Sequence, residues 1–291
     1  MAIINLAEKY SKKVAERFSI SSVTDAFAGK DYDFSGVKSI KVYTVDVVEL
    51  NNYTRSGTDR FGTLAELGDT VQEMSMTQDR SFTYSIDKGN SAQQFNVKAA
   101  TRSLKRQIDE VVTPELDKYR LAAWAKGAGL GGVNASLTKS NILEAILTGG
   151  MNLSNALVPK RNRALFIKES LYLHCKLAEQ VVGIDKLGEK AVQDGSVGVL
   201  DGMKVVPVPD SYFPEGVNFI IKYKSATVDP VQLKTYRVLT EQRGIDGDVV
   251  EGRIIYDSFV LTTRAKGIYV SSAKAAEAAG GSGGTGTGGN G

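Results

Sequence analysis

The residues that could do chemistry in this chain are few and badly spaced for it. The run GAGLGG places Gly127, Gly129 and Gly132 in the GxGxxG spacing of a dinucleotide-binding turn, where backbone amides approach a pyrophosphate closely. Such a turn leaves a buried strand and opens a helix. Here it follows AAWAK, the end of a helical pattern, and glycine is the ordinary stop signal of a helix. His174 and Cys175 are the single histidine and single cysteine, and they are adjacent. Neighbours on a helix diverge by about 100° and cannot converge on one reacting atom. Two ligands also fall short of the three or four that zinc requires. Asp109 with Glu110, Asp246 with Asp248, and Asp229 are carboxylates without a spaced partner, and they read as solvated faces and turns. Arg102, Lys105 and Arg106 precede Asp109, Glu110, Glu115 and Asp117 on one helical stretch, which favours pairing along the helix over phosphate binding. The densest positive cluster is PKRNR, Pro159 to Arg163, which reads as an exposed loop or as a face toward an interface or packaged nucleic acid. No catalytic, cofactor-binding or metal-binding residue is assigned.

The totals point away from several classes. The chain has 291 residues, 42% of them apolar, enough for an ordinary core in one large domain or two smaller ones. Lys plus Arg number 36 and Asp plus Glu 33, a net charge of +3. That balance gives no global basic field, so contact with DNA is expected to be weak and local. No apolar run approaches the ~20 residues of a membrane-spanning helix, and the N-terminus lacks a secretory pattern. One cysteine allows no internal disulfide and fits a reducing cytoplasm.

The elements that must position any site are extended. Leu6, Tyr10, Val14 and Phe18 put a narrow apolar stripe on an N-terminal helix running to Phe27, an arm that packs onto something else. Ile40 to Leu50 and Arg80 to Asp87 read as strands, with some thirty polar, glycine-containing residues between them. The simplest geometry pairs them as a two-stranded projection reaching roughly 36 Å. Phe95 to Lys126 is a long helix in which Thr113-Pro114 marks a kink or a fresh start capped by Thr113. Helices are expected at Asn141 to Leu147 and Lys168 to Val182, flanking a strand RALFI. Further strands are expected at Val197 to Leu200, Lys204 to Val208, Val217 to Lys222, Val249 to Tyr256 and Phe259 to Arg264. Asp201-Gly202 makes a tight hairpin turn, and Pro207 and Pro209 keep the outgoing strand from pairing further. The Gly-rich end, from about residue 273, has too little to bury and reads as a flexible tail with the composition of a linker.

Five blocks, YTRSGTDRFG, ELGDTVQEMSMTQDRSFTYSIDKGN, RQIDEVVTPELDKYRLAAWA, GSVGVLDGMKVVPVPDSYFPEGVNFII and VVEGRIIYDSFVLTTRAKGIYV, resemble in this order the major capsid proteins of tailed bacteriophages. The resemblance spans about Leu6 to Val270 and implies the α+β Hong Kong 97 coat fold, which encapsulin shells share. It implies an N-terminal arm at 1–35 and an E-loop ribbon at 36–90 lying over a neighbouring subunit. A P-domain with its spine helix would occupy 91–137, an A-domain 138–227, the A-domain exit and returning P-domain strands 228–272, and the tail 273–291. The function it implies is assembly of hexamers and pentamers into an icosahedral head enclosing DNA. Implied partners are copies of itself, a portal, a separate scaffolding protein, since the chain starts directly in the arm, and double-stranded DNA by weak non-specific contact. No membrane, small-molecule substrate or cofactor is expected, and no Lys-Asn cross-link pair carries over. Candidate subunit contacts are Tyr53, Arg55, Asp59, Arg60, Asp79, Arg80, Tyr212 and Phe213, with Pro114 as the candidate bend of the spine. An encapsulin-like compartment and, more remotely, a cytosolic nucleotide-dependent enzyme using the glycine run are the alternatives.

Overall fold

The computed structural model describes residues 22–32, 34, 39–64, 66–87, 100–178, 198–239, 244 and 246–273. The expected N-terminal helix before residue 22, the tail after 273, and the parts of the expected helix and strand that fall in 179–197 lie outside these residues.

The strands are β1 (Ser39–Val45), β2 (Asp69–Ser75), β3 (Gln78–Asp87), β4 (Leu130–Val133), β5 (Arg163–Lys168), β6 (Val199–Leu200), β7 (Met203–Val208), β8 (Val217–Tyr223), β9 (Thr227–Val228), β10 (Val231–Leu239), β11 (Gly247–Tyr256), β12 (Phe259–Val260) and β13 (Ile268–Ser272). The α-helices are α1 (Ala100–Gln107), α2 (Thr113–Lys126), α3 (Ile142–Asn155) and α4 (Glu169–Leu177).

A six-stranded sheet in the order β4-β13-β8-β5-β7-β6 carries the main core. Alternate residues of β5 enter opposite faces. Ala164 and Phe166 meet Leu121 and Trp124 of α2, while Leu165 and Ile167 meet Ile142, Ile146 and Leu153 of α3 and Cys175 of α4. A strand covered on both sides is apolar at every position, which is why RALFI shows no alternation. The sheet draws on strands from both sides of the interval 138–227, because β4 and β13 pair in parallel at its edge. At the opposite edge Asp201 (φ 48°) and Gly202 (φ 75°) both take left-handed backbone, the turn that matches the twist of the two-residue hairpin between β6 and β7.

The ribbon differs from the expected pairing. β1 pairs with β2, Ser39 opposite Ser75 and Val45 opposite Asp69. β3 instead lies in a separate antiparallel sheet, β10-β11-β3. The stretch expected as loop therefore holds the second ribbon strand, and 46–50 is not strand. DTVQEMS is half-polar because only its inner face is packed, at Met74, so it lacks the β-branched density that marks a strand in sequence. On the inner face of the three-stranded sheet Gly252 makes room for two rings. A Cβ there would lie 2.3 Å from the Phe82 ring and 2.7 Å from that of Tyr236. The expected late strand to Arg264 stops at Val260 and gives way to a 3₁₀ turn, Thr262–Gly267. The strand β10 was not expected from the sequence.

The long helix is continuous, without a fresh start. Between α1 and α2, residues Ile108–Val112 form a π-helical turn, closed by the Thr113 N–H donating to the Ile108 carbonyl. Thr113 itself is helical (φ −62°, ψ −48°) and caps nothing. Pro114 has no N–H for the Glu110 carbonyl and its ring crowds that oxygen, and one wider turn upstream relieves both. Helix α3 runs past Leu147 to Asn155 despite Gly149-Gly150. A Cβ on Gly149 would meet the Ile221 and Tyr269 side chains at 2.8 Å, so this glycine marks a close helix-to-sheet crossing and not a helix end.

Replacing Pro114 with Ala restores the missing donor. We expect the π-turn to become α-helical, with slower hydrogen exchange at residues 108–114, and unchanged exchange there would refute the cause given.

Candidate functional site

The stretches that resembled chemistry are structural. Gly127 ends α2, its N–H donating to the Ala123 carbonyl at 2.9 Å. Gly131 and Gly132 lie in strand β4. The Gly129 N–H donates to the Ala265 carbonyl at 2.8 Å, and a Cβ on Gly129 would lie 2.6 Å from the Ala265 and Lys266 backbone. Burial pushes the Cys175 thiol up to about 12, so it is not a nucleophile at neutral pH. Arg106 and Glu110 pair along the helix at 2.9 Å. Within PKRNR, Lys160 and Arg161 are exposed, but Arg163 is buried and turned inward on the end of α3.

Two carboxylates are buried against expectation: Asp229, read as part of a solvated turn, is 3% exposed, and Asp117, read as pairing along its helix, 1%. Asp229 accepts from the Gly29 N–H at 2.9 Å, the Trp124 indole N–H at 3.0 Å, and the hydroxyls of Thr227 and Ser258. Lys222 Nζ lies 3.6 Å from it, donates to the Phe27 carbonyl at 2.6 Å, and sits 4.0 Å above the Trp124 ring. Asp117 accepts from the Ser22 hydroxyl at 2.7 Å, the Val23 N–H at 3.0 Å and the Thr24 hydroxyl at 2.5 Å, and Arg120 donates to the same Thr24 hydroxyl at 3.0 Å. Together these groups clamp residues 22–29 against α2 and the sheet. A Cβ on Gly29 would fall 1.7 Å from the Thr227 carbonyl oxygen, so this crossing admits glycine alone. The Lys222 and Asp229 side chains at its centre are wholly enclosed, and the cluster fixes residues 22–29 on the body.

Burial drives the Lys222 ammonium down to about 8, against the pull of Asp229. Burial alone would raise the Asp229 carboxyl, but the Lys222 charge and the Ser258 and Thr227 hydroxyls hold it below the usual range.

A third carboxylate, Asp257, ties the ribbon root to the helix. It accepts from the Thr77 N–H at 2.8 Å and hydroxyl at 2.9 Å, and from the Tyr119 hydroxyl at 2.7 Å. The Gln72 side chain donates to the Val260 carbonyl at 3.0 Å and accepts from the Thr262 N–H at 2.9 Å. Beneath these clamps Phe34, Met74, Met76, Val228 and Leu261 form a small separate core.

Of the candidate contact residues, Tyr53, Arg55, Asp59 and Arg60 come together at the exposed ribbon tip. There the Tyr53 and Phe61 rings meet edge to face at 5.1 Å, and the Arg60 guanidinium donates to the Gly57 carbonyl at 3.1 Å. Asp79 and Arg80 lie in β3, away from the tip, and Asp79 is held by the Arg253 guanidinium at 2.8 Å. Tyr212 is half-buried, with Lys118 Nζ 5.5 Å from its ring centre. Phe213 is a correction: it is 8% exposed, inside the core with Trp124 and Phe166, and is spent on its own subunit. Sequence inspection missed the buried set of Trp124, Lys222, Thr227 and Ser258; the one available signal was a lysine inside the apolar run VNFIIKY.

Two tests follow from the clamp. Asp229→Ala strands a buried ammonium and is expected to cost about 3–5 kcal/mol of subunit stability in denaturant unfolding. Between pH 8 and 10.5 the unfolded chain keeps the Lys222 proton that the folded chain has released, so this residue's contribution to stability rises with pH across that window and is flat below it. The wild type minus Lys222→Met difference should follow that course; a flat difference would show the ammonium to be unperturbed.

No family model matches the chain, and neither does any curated protein sequence. Solved structures do. A chain of Mycobacterium phage Che8 superposes with a TM-score of 0.74 at 17% identity, covering 94% of this chain and 99% of that one. The capsid of cyanophage P-SCSP1u gives 0.72 at 13% identity, covering 92% and 93%. The mature capsid of bacteriophage PhiM1 gives 0.66 at 9% identity, covering 92% and 91%. The match runs over nearly the full length of each partner, and the chain has the α+β, Hong Kong 97-type fold of bacteriophage capsid subunits.

Proposed function

We propose that the chain is the major capsid protein of a tailed bacteriophage, many copies of which close as hexamers and pentamers into an icosahedral head around double-stranded DNA. One observation carries the reading beyond the fold. Of the twenty exposed large hydrophobic side chains among the described residues, ten lie between Tyr43 and Val71, on the ribbon and its tip. Leu50, Leu64 and Val47 are more than 90% exposed. The root of this ribbon is held by Gln72, Asp257 and the small core, while its outer part leaves large apolar side chains exposed among the described residues. A two-stranded ribbon is marginal in water, and a patch of this size marks an interaction surface. A second copy supplies what is missing.

In this reading the ribbon tip, with Tyr53, Arg55, Asp59 and Arg60, lies over a neighbouring subunit, and Arg80 of the three-stranded sheet and Tyr212 of the body meet neighbours elsewhere. The helix α1–α2 with the three-stranded sheet forms the P-domain, and the six-stranded sheet with α3 and α4 forms the A-domain. Residues 22–29, anchored by Asp117 and Asp229, are the part of the proposed N-terminal arm that is fixed to the body. Each contact is modest and becomes strong only when multiplied around a closed shell, so misplaced subunits can leave. The role is structural and not enzymatic. A portal and a separate scaffolding protein are its expected assembly partners, the virion its destination, and DNA contact is weak and non-specific. The π-turn before Pro114 is where the spine absorbs bending as the shell changes shape.

Removing only the unsupported part tests this. Residues 46–68 replaced by Asn-Gly leave β1 and β2 joined by a tight turn. The variant should unfold with the wild-type transition yet form no shells by electron microscopy. Normal shells from it would refute the ribbon's role, and a wild type that stays monomeric at high concentration would refute the capsid reading.

A further inference from the structure

One exposed leucine occupies a backbone position that ordinarily belongs to glycine. Helix α3 ends in a complete Schellman arrangement: the Leu157 N–H donates to the Ser154 carbonyl and the Val158 N–H to that of Leu153, both at 3.0 Å. Leu157 is the left-handed residue of this motif, at φ 60°, and its side chain is 90% exposed. Strain and exposure both count against leucine here. The loop is nonetheless held rigid. The buried Arg163 guanidinium donates to the carbonyls of Pro159 at 2.9 Å, Gly150 at 3.0 Å and Val158 at 2.5 Å, and to the Ser154 hydroxyl at 3.2 Å. Lys160 and Arg161 stand exposed beside the leucine. The result is a fixed apolar knob with two cations.

At the other end of the same sheet lies its counterpart. A cleft of about 550 Å³ is lined by Val23, Pro207, Pro209, Glu169, Ser170 and Asp210. Its floor is apolar and its rim carries two exposed carboxylates. The knob precedes the first residue of β5, whereas the cleft follows the last residues of β5 and of its parallel neighbour β7. Six strand residues separate them, about 20 Å. A subunit therefore cannot seat its own knob.

We propose that Leu157 of one copy enters the Val23–Pro207–Pro209 cleft of the next, with Lys160 and Arg161 facing Glu169 and Asp210. A knob and cleft at opposite ends of one body make a head-to-tail contact, the kind that closes into a ring when the rotation permits. The inference rests on the capsid reading and assigns it one specific contact between neighbours in the capsomer.

The test uses the full chain. Leu157→Gly relieves the backbone and should raise the subunit melting temperature by about 2 °C, while shell yield falls about tenfold or more, since the loss recurs at every ring contact. Arg161→Glu and Glu169→Lys should each lower shell yield, and the two together should restore it. If wild type forms shells and Leu157→Gly forms them equally well, the knob contact is wrong and the capsid reading stands. If wild type never leaves the monomer, the capsid reading itself fails. Loss in Glu169→Lys that Arg161→Glu does not repair would mean that the cleft receives another segment, such as residues 1–21 of its own chain, and overturns the proposal. Normal empty shells from Arg161→Glu with impaired DNA retention would assign the cations to DNA and overturn it as well.

Discussion

The buried pairing of Asp229 with Lys222 is the constraint on which the rest of the subunit depends. Neither charge can be left alone in a core, so each must be met by hydrogen bonds. The partners that meet them come from the start of the described chain at Phe27 and Gly29, from the long helix at Trp124, from β9 at Thr227 and from the loop after β11 at Ser258. Satisfying one ion pair thus fixes four distant segments at a single point. Apolar residues of similar volume could hold the same layers together, but they would not dictate which backbone atom lies where. In the capsid reading proposed above, where extended parts reach neighbours in register, that positional definition matters more than the stability the pair contributes.

The other two inward carboxylates repeat the device along α2. Asp117 takes the chain at Ser22 to Thr24, and Asp257, through Tyr119, takes the turn at Thr77 where the ribbon becomes β3. The helix is therefore the common reference for both projecting pieces. Its only irregularity, the π-turn at Ile108–Val112, lies just N-terminal to these attachments. In the capsid reading proposed above, bending there would move α1 relative to the clamps while leaving them intact. A shell that changes shape by rotating subunits about fixed contacts needs a compliant segment of this kind outside the anchored region.

Much of the architecture was legible beforehand. The ribbon's existence, the long helix with its disturbance at Thr113-Pro114, the Asp201-Gly202 hairpin and the alternating strands all follow from local preferences that survive in the folded state. The ribbon's partner strand did not. β2 is packed on one face only, and a seven-residue strand with Asp, Gln, Glu and Ser carries too weak a period to be told from loop. The glycines at 127–132 and 149–150 were ambiguous for another reason. Glycine serves equally at a helix end, in a turn and at a close crossing, and only the neighbouring backbone decides which. The inward destination of Asp117 and Asp229 was illegible because the chain that closes over them, at Val23 and Gly29, lies 94 and 200 residues away, and that of Phe213 because it packs with Trp124 and Phe166 of other elements.

The sequence alone determined that its charge balance gives no strong nucleic-acid field, where the helical and alternating periods lie, and that a long polar, glycine-containing stretch separates two strands. Those conclusions need only composition and short-range period, which are properties of the unfolded chain as much as of the folded one. The tertiary structure decided which strands pair, which carboxylates turn inward, and where an exposed leucine and a distant cleft fall on one body. Such matters are set by contacts between residues far apart in sequence, whose energy exists only once the layers have come together.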